Sequence, residues 1–177
     1  MKRKKFFILA GSLLVAVLLT SNMYTNKNGI QVGDKVPLFS LKDQNGEIFS
    51  IKNFLEKTAM VIYFYPKDDT PGCTKEACKF RDSYKDFTDL NVKVIGISGD
   101  SVESHKKFAE KYNLPFTLLA DTNNEVRKLF GVKKNILGLI PGRVTYVIDD
   151  KGYVKYIYDS MLNAESHIDE SLKVLLH

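Results

Sequence analysis

Cysteine is scarce in this chain. Two occur in 177 residues, Cys73 and Cys78, five positions apart. That excludes a framework of several disulfides. The spacing is C-x4-C, and His105, His167 and His177 fall at no ligand spacing, so a zinc site is not expected. A C-x-x-C oxidoreductase is disfavoured for the same reason. An excess of one charge is also missing from the body of the chain. The formal net charge is +5, but Lys2, Arg3, Lys4 and Lys5 are four of the 26 basic residues, leaving 22 against 21 acidic. Such a body carries no electrostatic footprint for nucleic acid. No internal repeat and no low-complexity tract appears. Nor is there an apolar run of the roughly 20 residues that a spanning helix needs.

The longest such run is FFILAGSLLVAVLLT, fifteen residues at 6–20, directly after the basic start. A basic n-region followed by an apolar h-region predicts an export signal or a retained N-terminal anchor. Small residues are poorly placed for cleavage, and no cysteine follows for lipidation, so signal and anchor both stay open. Residues 1–21 are assigned to this segment, 22–29 to a polar linker and 30–177 to one folded domain. That domain is expected outside the cytoplasm. With 44% hydrophobic and 27% charged residues, the chain can bury a real core.

Within the domain, VPLFSLKDQNGEIFSI predicts two short strands around Gln44-Asn45-Gly46. IKNFLEK is a short helix or turn. AMVIYFYP (59–66) is apolar at nearly every position, as in a strand covered on both faces. A helix is expected from about Thr70 to Leu90, and VKVIGISGD is a second central strand. SVESHKKFAEKYN is a helix started by Ser101, with Val102, Phe108 and Tyr112 on one face. FTLLAD is a strand, NNEVRKLFGV a short helix ending at Gly131, GRVTYVIDDKGYVKYIYD a hairpin and NAESHIDESLKVLLH a closing helix. Strands alternating with helices predict an α/β domain with a mixed sheet, whose sites lie at the carboxyl ends of strands.

Thr70-Pro71-Gly72 reads as a helix start, with a hydroxyl capper and an early proline. Cys73 then lies in the first turn, where free N–H groups and the helix dipole favour a thiolate. Cys78 is five residues on. On one helix this means about 7.5 Å of rise and roughly 140° of rotation, placing the Cα atoms about 8–9 Å apart. A disulfide needs them within about 7 Å. The pair therefore bonds only if the turn opens. From spacing alone a plain disulfide and a reactive pair both remain open. Glu76 and Arg81, on the same predicted helix, read as surface or ion-pair residues.

The segment YPKDDTPGCTKEAC resembles the active-site segment of the peroxiredoxins. It reads Pro66-Lys-Asp-Asp-Thr70-Pro-Gly-Cys73 against the pattern Pro-x-x-x-Thr/Ser-x-x-Cys. The second cysteine five residues on resembles the bacterioferritin-comigratory-protein, or peroxiredoxin Q, branch. KVPLFSLKDQNGE, KVIGISGDSVESHKKFAEKYNLPFTLLAD and GRVTYVIDDKG extend the likeness over about residues 30–177. The resemblance implies a thioredoxin-like fold, with a central mixed sheet flanked by helices, and a thiol peroxidase acting on hydrogen peroxide and organic hydroperoxides. It implies Cys73 as peroxidatic cysteine, Cys78 as resolving cysteine, and Thr70 as a hydroxyl contacting peroxide and sulfur. It further implies Pro66 as a shield against water and Arg143 as the guanidinium that stabilises the thiolate. It implies no metal, haem or flavin, a thioredoxin-like reductant and a monomer. The chain lacks the Gly-Gly-Leu-Gly and C-terminal Tyr-Phe segments that in the family accompany sensitivity to over-oxidation. VKKNILGLIPG (132–142) is compact and is expected to form one wall of the pocket. Two other classes stay open: a redox-inert exported module with a structural disulfide, and a general thiol–disulfide reductase or holdase.

Overall fold

A strand that is apolar at every position must be covered on both faces, and Ala59–Phe64 (β3) is the organising element of the molecule. The computed structural model describes residues 29–135 and 138–177. The expected signal or anchor at 1–21, and the linker up to residue 28, lie outside the described residues. β3 pairs in parallel with Val92–Ser98 (β4), which pairs in parallel with Thr117–Ala120 (β5). On its other side β3 meets Val144–Ile148 (β8) antiparallel, and β8 continues antiparallel into Val154–Asp159 (β9). Ser40–Asp43 (β1) runs antiparallel to β5 and carries the edge strand Ile48–Ser50 (β2). The seven-stranded order is β2-β1-β5-β4-β3-β8-β9. It is a mixed sheet in a thioredoxin-like α/β fold.

Alternation along β3 divides the core. Met60, Ile62 and Phe64 face one layer with Phe39, Phe49, Val126 and Phe130. Val61, Tyr63 and Tyr65 face the other, which holds Cys73, Ala77, Phe80, Phe87, Phe108 and Ile168. Four helices build that second layer: Pro71–Asp82 (α1), Tyr84–Asp89 (α2), Val102–Tyr112 (α3) and Ser166–Leu175 (α5). Glu125–Phe130 (α4) covers the first. The two-residue strands Lys134–Asn135 (β6) and Ile140–Pro141 (β7) form a separate small hairpin leading into β8.

Most local expectations hold. Gly46 takes φ 82 in the first turn, and Asp43 accepts from the backbone N–H groups of Asn45 and Glu47. Ser101 caps α3 by accepting from the Ser104 N–H at 3.2 Å. Gly131 ends α4 at φ 74. Two expectations are corrected. The single helix expected from Thr70 to Leu90 is broken at Ser83, where α1 stops and the shorter α2 begins. The expected apolar face of α3 omitted His105, which is buried beside Phe108, whereas Val102 and Tyr112 are half-exposed. Among the described residues no helix is long and apolar enough to cross a membrane.

Candidate active site

β3 ends at Phe64, and the chain turns through 65–70 into the first turn of α1. Buried polar contacts pin this loop. Asp68 accepts from the Tyr65 hydroxyl at 2.7 Å and the Ser104 hydroxyl at 2.7 Å, and its Oδ2 lies 2.9 Å from His105 Nδ1. The Asp68 N–H donates to Asp100. The next residue, Asp69, takes a positive φ of 56 and accepts from Lys111 and the Tyr112 hydroxyl. The loop is thus tied to both ends of α3. Arg127 ties it from the other layer, donating to the Tyr65 carbonyl at 2.7 Å and to the Gly142 carbonyl at 2.9 Å. Burial pushes that guanidinium below its ordinary range.

Thr70 stands at the N-cap of α1 and Pro71 at the first helical position, as expected. The capping chemistry differs from expectation. The Thr70 side chain makes no cap bond. Its hydroxyl donates to the Lys67 carbonyl at 3.0 Å and so holds the loop rather than the helix. Its oxygen lone pairs remain to accept. Pro66 is half-exposed in the same loop. Cys73 sits in the first turn, 2% exposed, where the leading N–H groups of a helix have no carbonyl one turn earlier. Both cysteines are free thiols, with Cys78 half-buried on the same helix. Because α1 is helical from Pro71 to Asp82, the two sulfurs lie on different faces.

Arg143 occupies the place expected of it. It enters at the start of β8, 3% exposed, and its Nη2 donates to Cys73 Sγ at 3.4 Å. Its other terminal nitrogen, Nη1, donates to Glu76 Oε2. Glu76, read as a surface or ion-pair residue, is an ion-pair residue of the interior. It is fully buried, one turn after Cys73, and pairs with Arg143. Burial pushes the Glu76 carboxyl up to about 8, against the opposing pull of Arg143. Burial lowers the Arg143 guanidinium, but Glu76 and Cys73 outweigh it and the net direction is up. Arg81 is a half-exposed ion-pair residue, bonded to Asp82 and to the Tyr112 carbonyl.

Glycine at 72 has a steric reason, since a Cβ there would lie 3.1 Å from Arg143 Nη2. A cleft of about 310 Å³ opens beside this turn, lined by Pro71, Gly72, Lys75, Leu162 and Ala164 among others. A larger cavity of about 490 Å³ lies in the other layer, between Ile30, Phe130 and Tyr146, and contains neither cysteine. Among the described residues no cluster of three metal-ligating side chains occurs. Sequence reasoning assigned no role to His167, which is buried with Nδ1 3.7 Å from Glu76 Oε1. A histidine on the inward face of a short amphipathic helix is its sole signal.

Residues 32–157 match the model of the AhpC/TSA family. Peroxiredoxin Q, chloroplastic, of Populus jackii is 53% identical over 146 residues, covering 82% of this chain and 68% of that protein. The Sedum lineare protein of the same name is 54% identical over 143 residues, covering 81% and 76%. Among solved structures, peroxidoxin BcpB from Mycobacterium tuberculosis superposes with TM-score 0.77 at 38% identity, covering 83% of this chain and 97% of that one. Peroxiredoxin Q from Xanthomonas campestris superposes with TM-score 0.69 at 28% identity, covering 76% and 89%.

Proposed function

The chain belongs to the AhpC/TSA family and is a thiol peroxidase of the peroxiredoxin Q type, and from that premise we propose how its own residues divide the work. Cys73 is the attacking sulfur. Its thiolate takes one peroxide oxygen in line with the O–O bond. An S–O bond forms, the O–O bond breaks, and the other oxygen leaves as water or alcohol after taking up a proton. Arg143 faces both the sulfur and the oxygens on which charge develops, and it is fixed there before reaction by Glu76. Thr70 offers its hydroxyl oxygen to the peroxide O–H, and Pro66 limits water at the mouth. The cleft beside Pro71 and Leu162 takes the organic part of larger hydroperoxides.

Cys78 then attacks the sulfenic sulfur of Cys73, water leaves, and an intramolecular disulfide forms. A thioredoxin-like dithiol reduces it by exchange. The observation that carries the assignment is the Arg143–Cys73 contact at the N-terminus of α1. The test is peroxide consumption by the purified protein with a thioredoxin system. Cys73→Ser is expected to abolish turnover, and unchanged turnover refutes the assignment. Cys78→Ser is expected to keep the first reduction step and lose recycling.

The basic and apolar residues 1–21 support export, with the segment cleaved or kept as an anchor, and residues 30–177 form one enzyme domain. The intact mass of the mature protein distinguishes cleavage from retention. Light scattering of the reduced protein tests the expected monomer.

A further inference from the structure

The ladder between β3 and β8 ends at the pair Phe64 and Val144. Beyond it the two chains part. One runs through Tyr65 and Pro66 to Cys73, and the other arrives through Gly142 and Arg143. The sulfur and the guanidinium thus stand on the two branches of one fork. Backbone bonds do not close that fork at Tyr65, Pro66 or Gly142. The Tyr65 N–H donates to the Ile97 carbonyl on β4 at 3.1 Å, and the Gly142 N–H to the Lys133 carbonyl at 3.0 Å. Pro66 has no N–H to offer.

Arg127 spans the opening. It lies on α4 and is 4% exposed. Its Nη2 donates to the Tyr65 carbonyl at 2.7 Å and its Nη1 to the Gly142 carbonyl at 2.9 Å. Each carbonyl belongs to the residue just before a site residue, Pro66 on one branch and Arg143 on the other. The clamp is itself anchored. Asp121 accepts from the Arg127 N–H at 2.8 Å and from the Val126 N–H at 3.2 Å. The guanidinium lies over the Phe64 ring, 5.5 Å from its centroid. Gly142 is confined from the far side, because a Cβ there would overlap the Lys133 carbonyl oxygen. Burying a cation on neutral carbonyls costs desolvation. What a rigid, planar set of donors supplies in return is a fixed distance and angle between the groups it bridges.

We propose that Arg127 is a positioning residue of the peroxidase site, whose two carbonyl bonds set how far Arg143 stands from Cys73. The inference rests on reading Cys73 as the attacking sulfur. Arg127 touches no reacting atom and acts through Arg143. Its task differs from that of its neighbours. The Asp68 and Asp69 contacts fasten the loop to α3 and do not reach the branch that carries Arg143. Glu76 holds the Arg143 side chain from the second core layer, whereas Arg127 holds the backbone behind it from the first. The Arg143–Cys73 contact is 3.4 Å long. A fork wider by about 1 Å takes Nη2 out of hydrogen-bond reach of the sulfur, and misplacements of that size slow reactions strongly.

The experiment is rapid mixing of the reduced full-length protein with hydrogen peroxide in a Cys78→Ser background, which reads the second-order rate constant of Cys73 alone. Arg127→Met removes both donors and keeps the length of the side chain, and is expected to lower that constant about tenfold. Arg127→Lys keeps the charge but not the planar fork. It is expected to lose only about threefold, and it carries the test if the methionine variant does not fold. Tyr146→Phe is the control. It removes a hydrogen bond to the Phe130 carbonyl in the same layer and leaves the fork intact, so its rate constant is expected to match the wild type. A double-mutant cycle then separates positioning from general destabilisation. With Arg143→Lys already present, either change at Arg127 is expected to cost less than about twofold. A loss of folding stability alone would not depend on residue 143. A wild-type rate constant in both Arg127 variants, an equal fall in Tyr146→Phe, or losses as large with Arg143→Lys as without it would each overturn the proposal. A wild-type Cys73 that peroxide does not oxidise overturns the peroxidase reading and the proposal with it, so the wild-type rate tells the two failures apart.

Discussion

Arg143 makes the strongest case at the scale of single residues, because its two terminal nitrogens serve different partners at once. Lysine cannot reproduce that fork with one ammonium. Arg143→Lys is therefore expected to lower the rate constant of Cys73 with peroxide about 100-fold, the usual effect of losing one preorganised donor, with the protein still folded. Competition kinetics against a reference peroxidase measures it. Gly72→Ala approaches the same nitrogen from the backbone. Its methyl would sit 3.1 Å from Nη2, so the guanidinium must shift. A fall of about tenfold is expected, consistent with the sensitivity of reactions to small misplacements. An unchanged rate constant in Gly72→Ala would mean that the guanidinium position is not critical.

Glu76 and His167 also give a stability test, with opposite signs. Glu76 is raised to about 8, so its contribution is complete below the ordinary carboxyl range and declines as pH rises to about 8. His167 is lowered to about 4, so folding there gains as pH rises from about 4 to its ordinary value of 6.5. The two oppose each other in mild acid. Between pH 6.5 and 8 only Glu76 acts, and stability is expected to fall by at most about 2 kcal/mol. Urea midpoints at the two pH values measure the fall, and Glu76→Gln should remove it.

At the scale of elements, α1 has to be both rigid and openable. Its first turn fixes Cys73 against Arg143, yet its regular geometry keeps Cys78 about 8–9 Å away. Oxidation by one equivalent of peroxide is expected to unwind the start of α1, with faster amide exchange in 71–82 and lost helical ellipticity. Exchange as slow as in the reduced form would contradict the disulfide step. The loop before α1 is held independently by Asp68, Tyr65, Ser104 and His105. Asp68→Ala leaves those buried donors unpaired and is expected to cost about 3 kcal/mol of folding stability, measured by urea denaturation.

The same element shows what was legible in the sequence. Thr70-Pro71-Gly72 announced a helix start, and the unbroken apolar run announced β3, because both are local properties of the chain. The fate of Glu76 was not legible. It stands in TKEACKFRD, among lysines and arginines, and looks like part of a solvated face. Its burial depends on Arg143, which arrives 67 positions later. Arg127, Asp68, His105 and His167 were hidden for the same reason: a buried polar side chain is defined by partners brought from other elements. The break at Ser83 was missed because Ser83 and Tyr84 are neither proline nor glycine.

For the whole molecule, the proposed Cys73–Cys78 disulfide runs against the fold. Closing a loop of about six residues restricts the unfolded chain by about 2 kcal/mol. Opening the first turns of α1 removes Cys73 and Ala77 from the second core layer and parts Glu76 from Arg143. Leaving Arg143 buried without either the Cys73 sulfur or the Glu76 carboxyl costs about 3–5 kcal/mol. The second quantity exceeds the first, so the oxidised protein should be the less stable by about 1–3 kcal/mol. In a chain of this size that lowers the melting temperature by several degrees. Calorimetry of the reduced protein and of the protein oxidised by one equivalent of peroxide measures the difference. The sign is the informative part. A structural disulfide would raise the melting temperature, whereas a bond that forms only by opening the helix holding its attacking sulfur lowers it. The strain also favours return. A reductant that breaks the bond lets α1 refold around Cys73, so exchange with a thioredoxin-like dithiol is driven partly by the recovered packing of the core and not by thiol chemistry alone.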